Sequence, residues 1–230
     1  MKTIGMIGGA GWPSTLEYYR IINQETNRRL GGLNSAKIIL SSFNYAEIDI
    51  LNKKDDHASI YKLVLDAALR LKKASVDFLI ICANTMNQYV DAIEKETGLP
   101  VIHIADATAE EIKKNGLSKI GLLGTRFTME MDFYKERFNK FGIESIVPDK
   151  SQRQFIHRAI MDELIKEVFK DKTKNKFLKI IDDLQSNGAE GVVLGCTEIP
   201  LLIKQKDVSI PVFNTLENHA KAAVKFALKN

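Results

Sequence analysis

Ile4–Gly8 reads IGMIG, and residues 120–124, at an offset of 120 − 4 = 116, read IGLLG. A second pair of similar segments follows in the same order. Residues 77–85 read DFLIICANT and residues 191–198 read GVVLGCTE, and aligning Ala83 with Cys196 gives an offset of 196 − 83 = 113. Because both matches occur in order at nearly the same offset, the sequence predicts a duplicated structural unit.

Short runs rich in Ile, Val and Leu alternate with longer amphipathic segments along the chain. The runs show little polar alternation, which is typical of strands buried on both faces of a parallel sheet. They lie at 3–7, 37–42, 78–82, 101–104, 120–123, 191–194 and 211–213. Helical spacing of apolar residues predicts helices at 14–29, 59–74, 105–115, 128–141, 154–169 and 175–187.

This alternation predicts an α/β protein of two pseudo-symmetric, doubly wound domains with parallel sheets and right-handed crossovers. We expect residues 1–103 plus 211–230 to form the first domain and residues 104–210 the second. Ligands bind beyond the carboxyl ends of the strands in open parallel sheets. Both cysteine segments and the glycine loop after the first strand lie at such ends, so an active site is expected in a cleft between the two domains.

Composition excludes several classes of protein. A chain of 230 residues with 45% hydrophobic residues can bury a core without disulfides or a metal. Its 33 basic residues are interspersed with 29 acidic ones, which favours solvated faces over a nucleic-acid surface. With two cysteines and no apolar run of membrane-spanning length, we predict a cytoplasmic protein with reduced thiols and no membrane partner.

The first glycine loop favours a small anionic ligand. Residues 8–15 read GGAGWPST after the first strand, and glycines at a helix N-terminus let the backbone approach an anion. A dinucleotide fingerprint requires a third glycine and an acid after the second strand, and a P-loop requires a lysine; these features are missing. The loop therefore fits a small carboxylate better than a nucleotide, with Gly9, Trp12 and Ser14 as candidate binding residues.

Two further strand ends carry groups suited to acid/base chemistry. Asn84 and Thr85 follow the third predicted strand and can hydrogen-bond a carboxylate, although both residue types also cap helices. Gly195 permits an unusual backbone angle before Cys196, and a following helix N-terminus would stabilise its thiolate; the alternative is an inert buried thiol. Thr197 adds a hydroxyl and a backbone N–H. The four histidines lack metal-ligand spacing, so we predict no metal.

Together these segments resemble the aspartate/glutamate racemase family, within the Asp/Glu/hydantoin racemase superfamily. The resemblance rests on residues 4–9 (IGMIGG), Trp12 with residues 14–15, residues 84–86 (NTM) and residues 195–200 (GCTEIP), and it spans essentially the whole chain. It implies no pyridoxal phosphate or other cofactor, a homodimer, and two facing acid/base residues. These positions correspond to Ala83 and Cys196.

Ala83 departs from the pattern of the family, which has cysteine or threonine at this position. Alanine can neither accept nor donate a proton. Cys82 is one residue earlier, and neighbouring side chains in an extended chain point to opposite faces. Thr85, a water molecule or a shifted Cys82 could substitute, and the sequence leaves open whether alanine is the natural residue here. Asn87 also stands where the family often has histidine.

The resemblance implies a cofactor-independent racemase that acts on aspartate or glutamate by proton transfer at the α-carbon. Cys196 would be the acid/base, with position 83 and Thr85 as the other catalytic positions. Candidate substrate-binding residues are Gly9, Trp12, Ser14, Asn44, Asn84, Thr85 and Thr197. Two alternatives stay open: a single-cysteine decarboxylase or isomerase of a small diacid, as in arylmalonate decarboxylase-like enzymes, and a non-catalytic homologue that binds a dicarboxylate.

Overall fold

The computed structural model describes residues 1–229 and divides into two compact units. The first consists of Met1–Ile104 together with the segment from His219 onward, and the second is Ala105–Asn218. Each unit contains one four-stranded sheet in which all neighbouring strands are parallel. The predicted α/β fold with two parallel sheets is therefore confirmed.

The strands are short and lie in regular alternation with the helices. They are β1 (Ile4–Gly8), β2 (Ile38–Ser42), β3 (Phe78–Ile81), β4 (Val101–Ile102), β5 (Lys119–Gly124), β6 (Glu144–Ile146), β7 (Gly191–Gly195) and β8 (Val212–Asn214). The helices are α1 (Trp12–Leu30), α2 (Tyr45–Lys53), α3 (His57–Lys73), α4 (Val90–Thr97), α5 (Ile104–Lys114), α6 (Arg126–Glu130), α7 (Asp132–Lys140), α8 (Lys150–Asp162), α9 (Asp171–Ser186), α10 (Ile199–Leu202) and α11 (Thr215–Ala227).

The two sheets have the same topology. The first has the strand order β2-β1-β3-β4 and the second β6-β5-β7-β8, so each strand of the first has a counterpart four strands later. In both sheets the two central strands are the most buried. This equivalence agrees with the duplication inferred from the IGMIG and IGLLG segments.

Helices pack on the sheets through the apolar faces that the spacing predicts. In α3 the buried positions recur at intervals of three and four: Ile60, Val64, Ala67, Ala68 and Leu71. Burying one such Ile, Val or Leu side chain contributes roughly 1.5–3 kcal/mol, so this face fixes the helix on the sheet. The helix begins where the Asp56 side chain accepts a hydrogen bond from the Ser59 N–H.

Several elements differ from the prediction. β6 was not predicted, and the helix expected at 128–141 breaks at Met131, whose backbone is extended. The helix expected at 154–169 begins earlier, at a capping box between Asp149 and Gln152, and ends at Asp162. The helices α2, α4, α10 and α11 were also not predicted. The first three are short, and the buried face of α11 consists mostly of threonine, histidine and alanine.

The boundary of the second unit also differs from the prediction. We expected residues 211–230 to return to the first domain, but β8 pairs with β7 in the second sheet, and the first unit resumes only at His219. An apolar run such as residues 211–213 indicates a strand without indicating which sheet it joins. Among residues 1–229, no helix combines the length and the apolar character that crossing a membrane would require.

A buried histidine ties three elements of the first unit together. His219 of α11 accepts a hydrogen bond from the Tyr18 hydroxyl at Nδ1 (2.8 Å) and donates from Nε2 to the Ile102 carbonyl oxygen (2.8 Å). Burial lowers the pKa of His219 to about 4, from an ordinary value of 6.5, because the charged imidazolium would lose its hydration. The histidine is therefore neutral at pH 7.

We expect this histidine to make the protein less stable in mild acid. The unfolded chain binds the proton with an ordinary pKa while the folded chain resists it, so stability is complete above pH 6.5 and is lost as the pH falls from 6.5 towards 4. Between pH 7 and pH 5 the free energy of unfolding should fall by about 2 kcal/mol from this group. Urea unfolding at both pH values measures it, and His219→Gln should show a smaller difference. An equal difference in the parent and in His219→Gln would contradict the assignment.

Candidate active site

The strand β7 ends at Gly195, directly before Cys196, in a closely packed position. A Cβ atom at Gly195 would lie 2.9 Å from the Leu123 carbonyl oxygen and 2.9 Å from Thr128 Cγ2. Gly195 is not among the glycines with positive φ. The glycine is therefore required by close packing of β5 and α6 rather than by the unusual backbone angle that we expected.

Cys196 is a buried thiol with a carboxylate beside it. Its side chain is 8% exposed, and Sγ donates a hydrogen bond to Glu198 Oε2 at 2.8 Å. The Thr197 hydroxyl donates to the same oxygen at 2.9 Å. Glu198 therefore holds the proton-bearing side chain of Cys196 in a fixed direction.

These surroundings favour the thiol over the thiolate. Burial raises the pKa of Cys196 well above its ordinary value, and the negative charge and hydrogen bond of Glu198 raise it further. The backbone N–H groups of Glu198 and Thr197 act in the opposite direction. We expected the following helix N-terminus to stabilise a thiolate; the backbone does so, but α10 has only four residues and its effect is outweighed.

A buried tyrosine and threonine complete the surroundings of the Cys196 strand end. Tyr134 of α7 is fully buried and hydrogen-bonded to Thr215, whose hydroxyl donates to the Leu194 carbonyl oxygen at 2.9 Å. Burial raises the pKa of Tyr134, and the charge of ionised Cys196 adds to this increase. The sequence analysis named neither residue. Thr215 follows β8, a strand that we expected in the other domain, and Tyr134 lies on a helix with no motif around it.

In the first unit, the predicted residues gather at one edge of the sheet. β1, β2 and β3 are neighbours, with Gly8 paired to Ser42 and Ile7 to Ile81, so their carboxyl ends lie side by side. The residues that follow these ends are Gly9, Trp12 and Ser14 after β1, Asn44 after β2, and Ala83, Asn84 and Thr85 after β3.

The segment after β3 presents one partly exposed and one buried polar residue. Ala83 and Thr85 are partly exposed, and Asn84 is buried. Thr85 begins a 3₁₀ helix, Thr85–Tyr89, and the Asn84 side chain makes no capping hydrogen bond to it. The helix-cap alternative for Asn84 is therefore not what the structure shows.

Asn87 fixes the backbone of this segment. Its side chain is 1% exposed, and Nδ2 donates to the carbonyl oxygens of Ile81 (3.1 Å) and Ala83 (2.8 Å). Oδ1 accepts from the Ile104 N–H at 3.0 Å. One side chain thus satisfies three backbone groups, two of them on either side of Cys82.

The glycine loop after β1 is tightly built. Gly9 has φ +87°, and a Cβ atom there would lie 2.3 Å from the Phe43 nitrogen and oxygen. The Gly9 N–H donates to Thr15 Oγ1 at 2.9 Å, so this amide has a partner within the protein. Ser14 is buried at the start of α1, whereas the indole side chain of Trp12 is 68% exposed.

Two of the remaining residues have structural roles. The Asn44 side chain caps α2 by accepting from the Ala46 N–H at 3.2 Å. Cys82 is fully enclosed, and burial raises the pKa of its thiol. Within residues 1–229, no group of three or more His, Cys, Asp or Glu side chains is arranged to hold a metal ion.

Comparison with solved structures and curated proteins finds similar proteins along the whole chain. The chain is similar to a candidate Asp/Glu racemase from Yersinia pestis (46% identity, all of both chains, TM-score 0.94). It is similar to an aspartate racemase homologue from Pyrococcus horikoshii (35% identity, all of both chains, TM-score 0.87). A broad specificity amino-acid racemase of Bacillus subtilis is 26% identical over 169 residues, which is 74% of this chain and 73% of the relative.

The match to a family model extends over both units. The model describes the Asp/Glu/hydantoin racemases, and it covers residues 7–223, including the strand ends that carry Ala83 and Cys196. Its span includes the glycine loop, the segment fixed by Asn87 and the Cys196–Glu198 pair. On this evidence the chain belongs to the Asp/Glu/hydantoin racemase family.

Proposed function

We propose that this protein is a cofactor-independent amino-acid racemase that transfers protons at the α-carbon of aspartate or glutamate, with Cys196 as the acid/base. The observation that carries the proposal is the Cys196 thiol at the carboxyl end of β7, hydrogen-bonded to the Glu198 carboxylate at 2.8 Å. Membership of a racemase family and the similarity to racemases of acidic and other amino acids support it.

The proposed chemistry begins with proton removal from the substrate. The thiolate of Cys196 takes the α-proton, and the substrate carboxylate delocalises the resulting negative charge. The Asn84–Thr85 segment is proposed to hold a carboxylate of the substrate through amide, hydroxyl and backbone N–H donors. Thr197 is a weaker candidate than we expected, because its hydroxyl already donates to Glu198. The Gly9 amide is a weaker candidate than we expected, because Thr15 already accepts its proton.

Ala83 makes the two directions of proton delivery unequal. Racemisation requires a proton donor on each side of the α-carbon, and alanine at position 83 supplies none. The proposal therefore predicts that Cys196 exchanges the α-proton with solvent faster than the protein inverts the α-carbon. Inversion would depend on Thr85 or a water molecule in place of a side chain at position 83.

Solvent exchange tests the proposal directly. Each enantiomer of aspartate and glutamate is incubated with the protein in deuterium oxide without added cofactor, and NMR follows loss of the α-proton signal. We expect exchange of at least one enantiomer, with inversion, measured by chiral chromatography, lagging behind it. Absence of both exchange and inversion for all four compounds would overturn the proposal.

A second candidate is a single-thiol decarboxylase or isomerase of another small diacid. It is favoured by one observation, that position 83 has no acid/base side chain while Cys82 is fully enclosed. Such an enzyme would protonate a planar intermediate from the Cys196 side alone. Incubation with substituted malonates and measurement of released carbon dioxide distinguishes it, since a racemase releases none.

A further inference from the structure

We propose that Glu198 is a positioning residue that accepts the proton of Cys196 and returns it, so that the pair alternates between an acid and a base. This inference rests on the proposed function, because it concerns the same proton transfer. Glu198 touches the reaction only through the sulfur of Cys196. We assigned it no role from the sequence, although it stands two residues after the cysteine.

The hydrogen bonds around Glu198 direct one carboxylate oxygen at the sulfur. Oε2 accepts from Cys196 Sγ at 2.8 Å and from the Thr197 hydroxyl at 2.9 Å. Because the second donor lies on the neighbouring residue, it fixes the carboxylate in the orientation that the thiol requires. The backbone N–H groups of Glu198 and Thr197 also stabilise negative charge on the sulfur. The same turn therefore provides a proton acceptor and a stabiliser for the thiolate that remains.

Each proton in the proposed reaction has a donor and an acceptor. The S–H proton moves to the carboxylate oxygen and leaves a thiolate beside a carboxylic acid. The thiolate then takes the α-proton of the substrate, which forms S–H and leaves the electron pair of the C–H bond on the substrate. The carboxylic acid of Glu198 then releases its proton to water, and the resulting carboxylate exchanges the new S–H hydrogen for one from solvent. The reverse steps deliver this solvent hydrogen from the sulfur to the α-carbon. No reactant other than water is required.

A purely structural role for Glu198 makes different predictions. Glu198 is also the residue before α10, so its loss could simply loosen that short helix. Loosening would lower the melting temperature together with the exchange rate, whereas loss of the charge alone would make the thiolate more abundant and the exchange faster. Removal of a proton acceptor instead changes the abundance of the thiolate and the rate of α-proton exchange in opposite directions: the thiolate becomes more abundant and the exchange becomes slower.

Thiol alkylation measures the abundance of the Cys196 thiolate without any substrate. Iodoacetamide is applied across a pH series to the parent and to Glu198→Gln, and mass spectrometry quantifies labelling of the peptide that contains Cys196. We expect the rate at neutral pH to rise about tenfold or more in Glu198→Gln, because a like charge beside the thiolate is removed. The charge control is Glu190→Gln, because Glu190 precedes β7 at the opposite end of the strand and binds the Ser118 and Lys119 N–H groups. This variant should keep the parental profile.

Deuterium incorporation into the substrate measures the rate of α-proton exchange. We expect Glu198→Gln to exchange the α-proton at least about tenfold more slowly, since a hydrogen bond to a charged group contributes a factor of this size. Glu198→Asp keeps the charge one methylene further back, and it should recover part of the rate with a nearly parental alkylation profile. If Glu198→Gln does not fold, the exchange rate and the alkylation profile of Glu198→Asp provide the test.

The outcomes separate this inference from the proposed function. An unchanged or slower alkylation profile in Glu198→Gln, or an exchange rate that rises with the thiolate, would overturn the role of Glu198 while leaving the racemase proposal intact. A parent protein that exchanges no substrate proton would overturn the proposed function, whereas the alkylation profiles would still decide whether Glu198 controls the thiol.

Discussion

Replacing Ala83 by cysteine is expected to raise the rate of racemisation of the acidic substrate by about a hundred- to ten-thousand-fold, the usual contribution of a positioned proton-transfer group. The resemblance to aspartate/glutamate racemases implies an acid/base side chain at this position, and alanine provides none. The new thiol would deliver a proton to the side of the α-carbon that Cys196 does not serve. Chiral chromatography of aspartate and glutamate after incubation measures the gain, and Ala83→Thr tests the alternative residue of the family.

The matched control for this gain is Ala83→Val. Valine adds a side chain of nearly the size of threonine without a proton to transfer, so it should give no increase. The solvent-exchange rate catalysed from the Cys196 side should change far less than the racemisation rate in Ala83→Cys. A well-folded Ala83→Cys variant that exchanges the α-proton yet inverts it no faster than the parent would show that position 83 does not reach the substrate.

Replacing Cys196 by alanine is expected to reduce α-proton exchange by about a hundred- to ten-thousand-fold, because the group that takes the proton is lost. Folding should be retained, since a cysteine-to-alanine change removes one atom from the side chain. NMR of the substrate in deuterium oxide measures the rate, and circular dichroism verifies the fold. Cys196→Ser, which replaces the thiol by a much weaker acid, should lie close to the alanine variant.

Cys82→Ala is the matched control, since it removes the other free and buried thiol of the chain. Cys82 is enclosed at the end of β3, and burial raises the pKa of its thiol. Its loss should cost on the order of 1 kcal/mol of stability and leave the exchange rate unchanged. Exchange that disappears in Cys82→Ala and persists in Cys196→Ala would reverse the assignment of the acid/base.

The fold could be predicted where strands are apolar and central, and it could not be where they are short and at an edge. Residues 191–194 are apolar throughout, and they form most of β7 in the middle of the second sheet. β6 has only three residues, starts with an exposed glutamate and lies at the edge of the second sheet. No apolar run in the sequence therefore predicts it. The internal repeat could have indicated β6, because its counterpart β2 occupies the equivalent edge of the first sheet.

The candidate site could be predicted by position but not by contact. Motifs place Cys196 and Ala83 at strand ends, and the structure has them there. The roles of Glu198, Tyr134 and Thr215 depend on how turns fold back on the strand, and spacing along the chain does not encode that. The reason for Gly195 was misjudged in the same way, because a crowded neighbour and a special backbone angle both call for glycine.

The three hydrogen bonds of Asn87 bear on how readily this protein can acquire a new proton donor. With the carbonyl groups of residues 81 and 83 both held by one buried amide, the bond from Cα to Cβ at position 83 has a set direction. A larger side chain introduced there would extend from a backbone position that these hydrogen bonds hold in place. A change of one codon could therefore convert the chemistry on that side while the scaffold around it stays as it is.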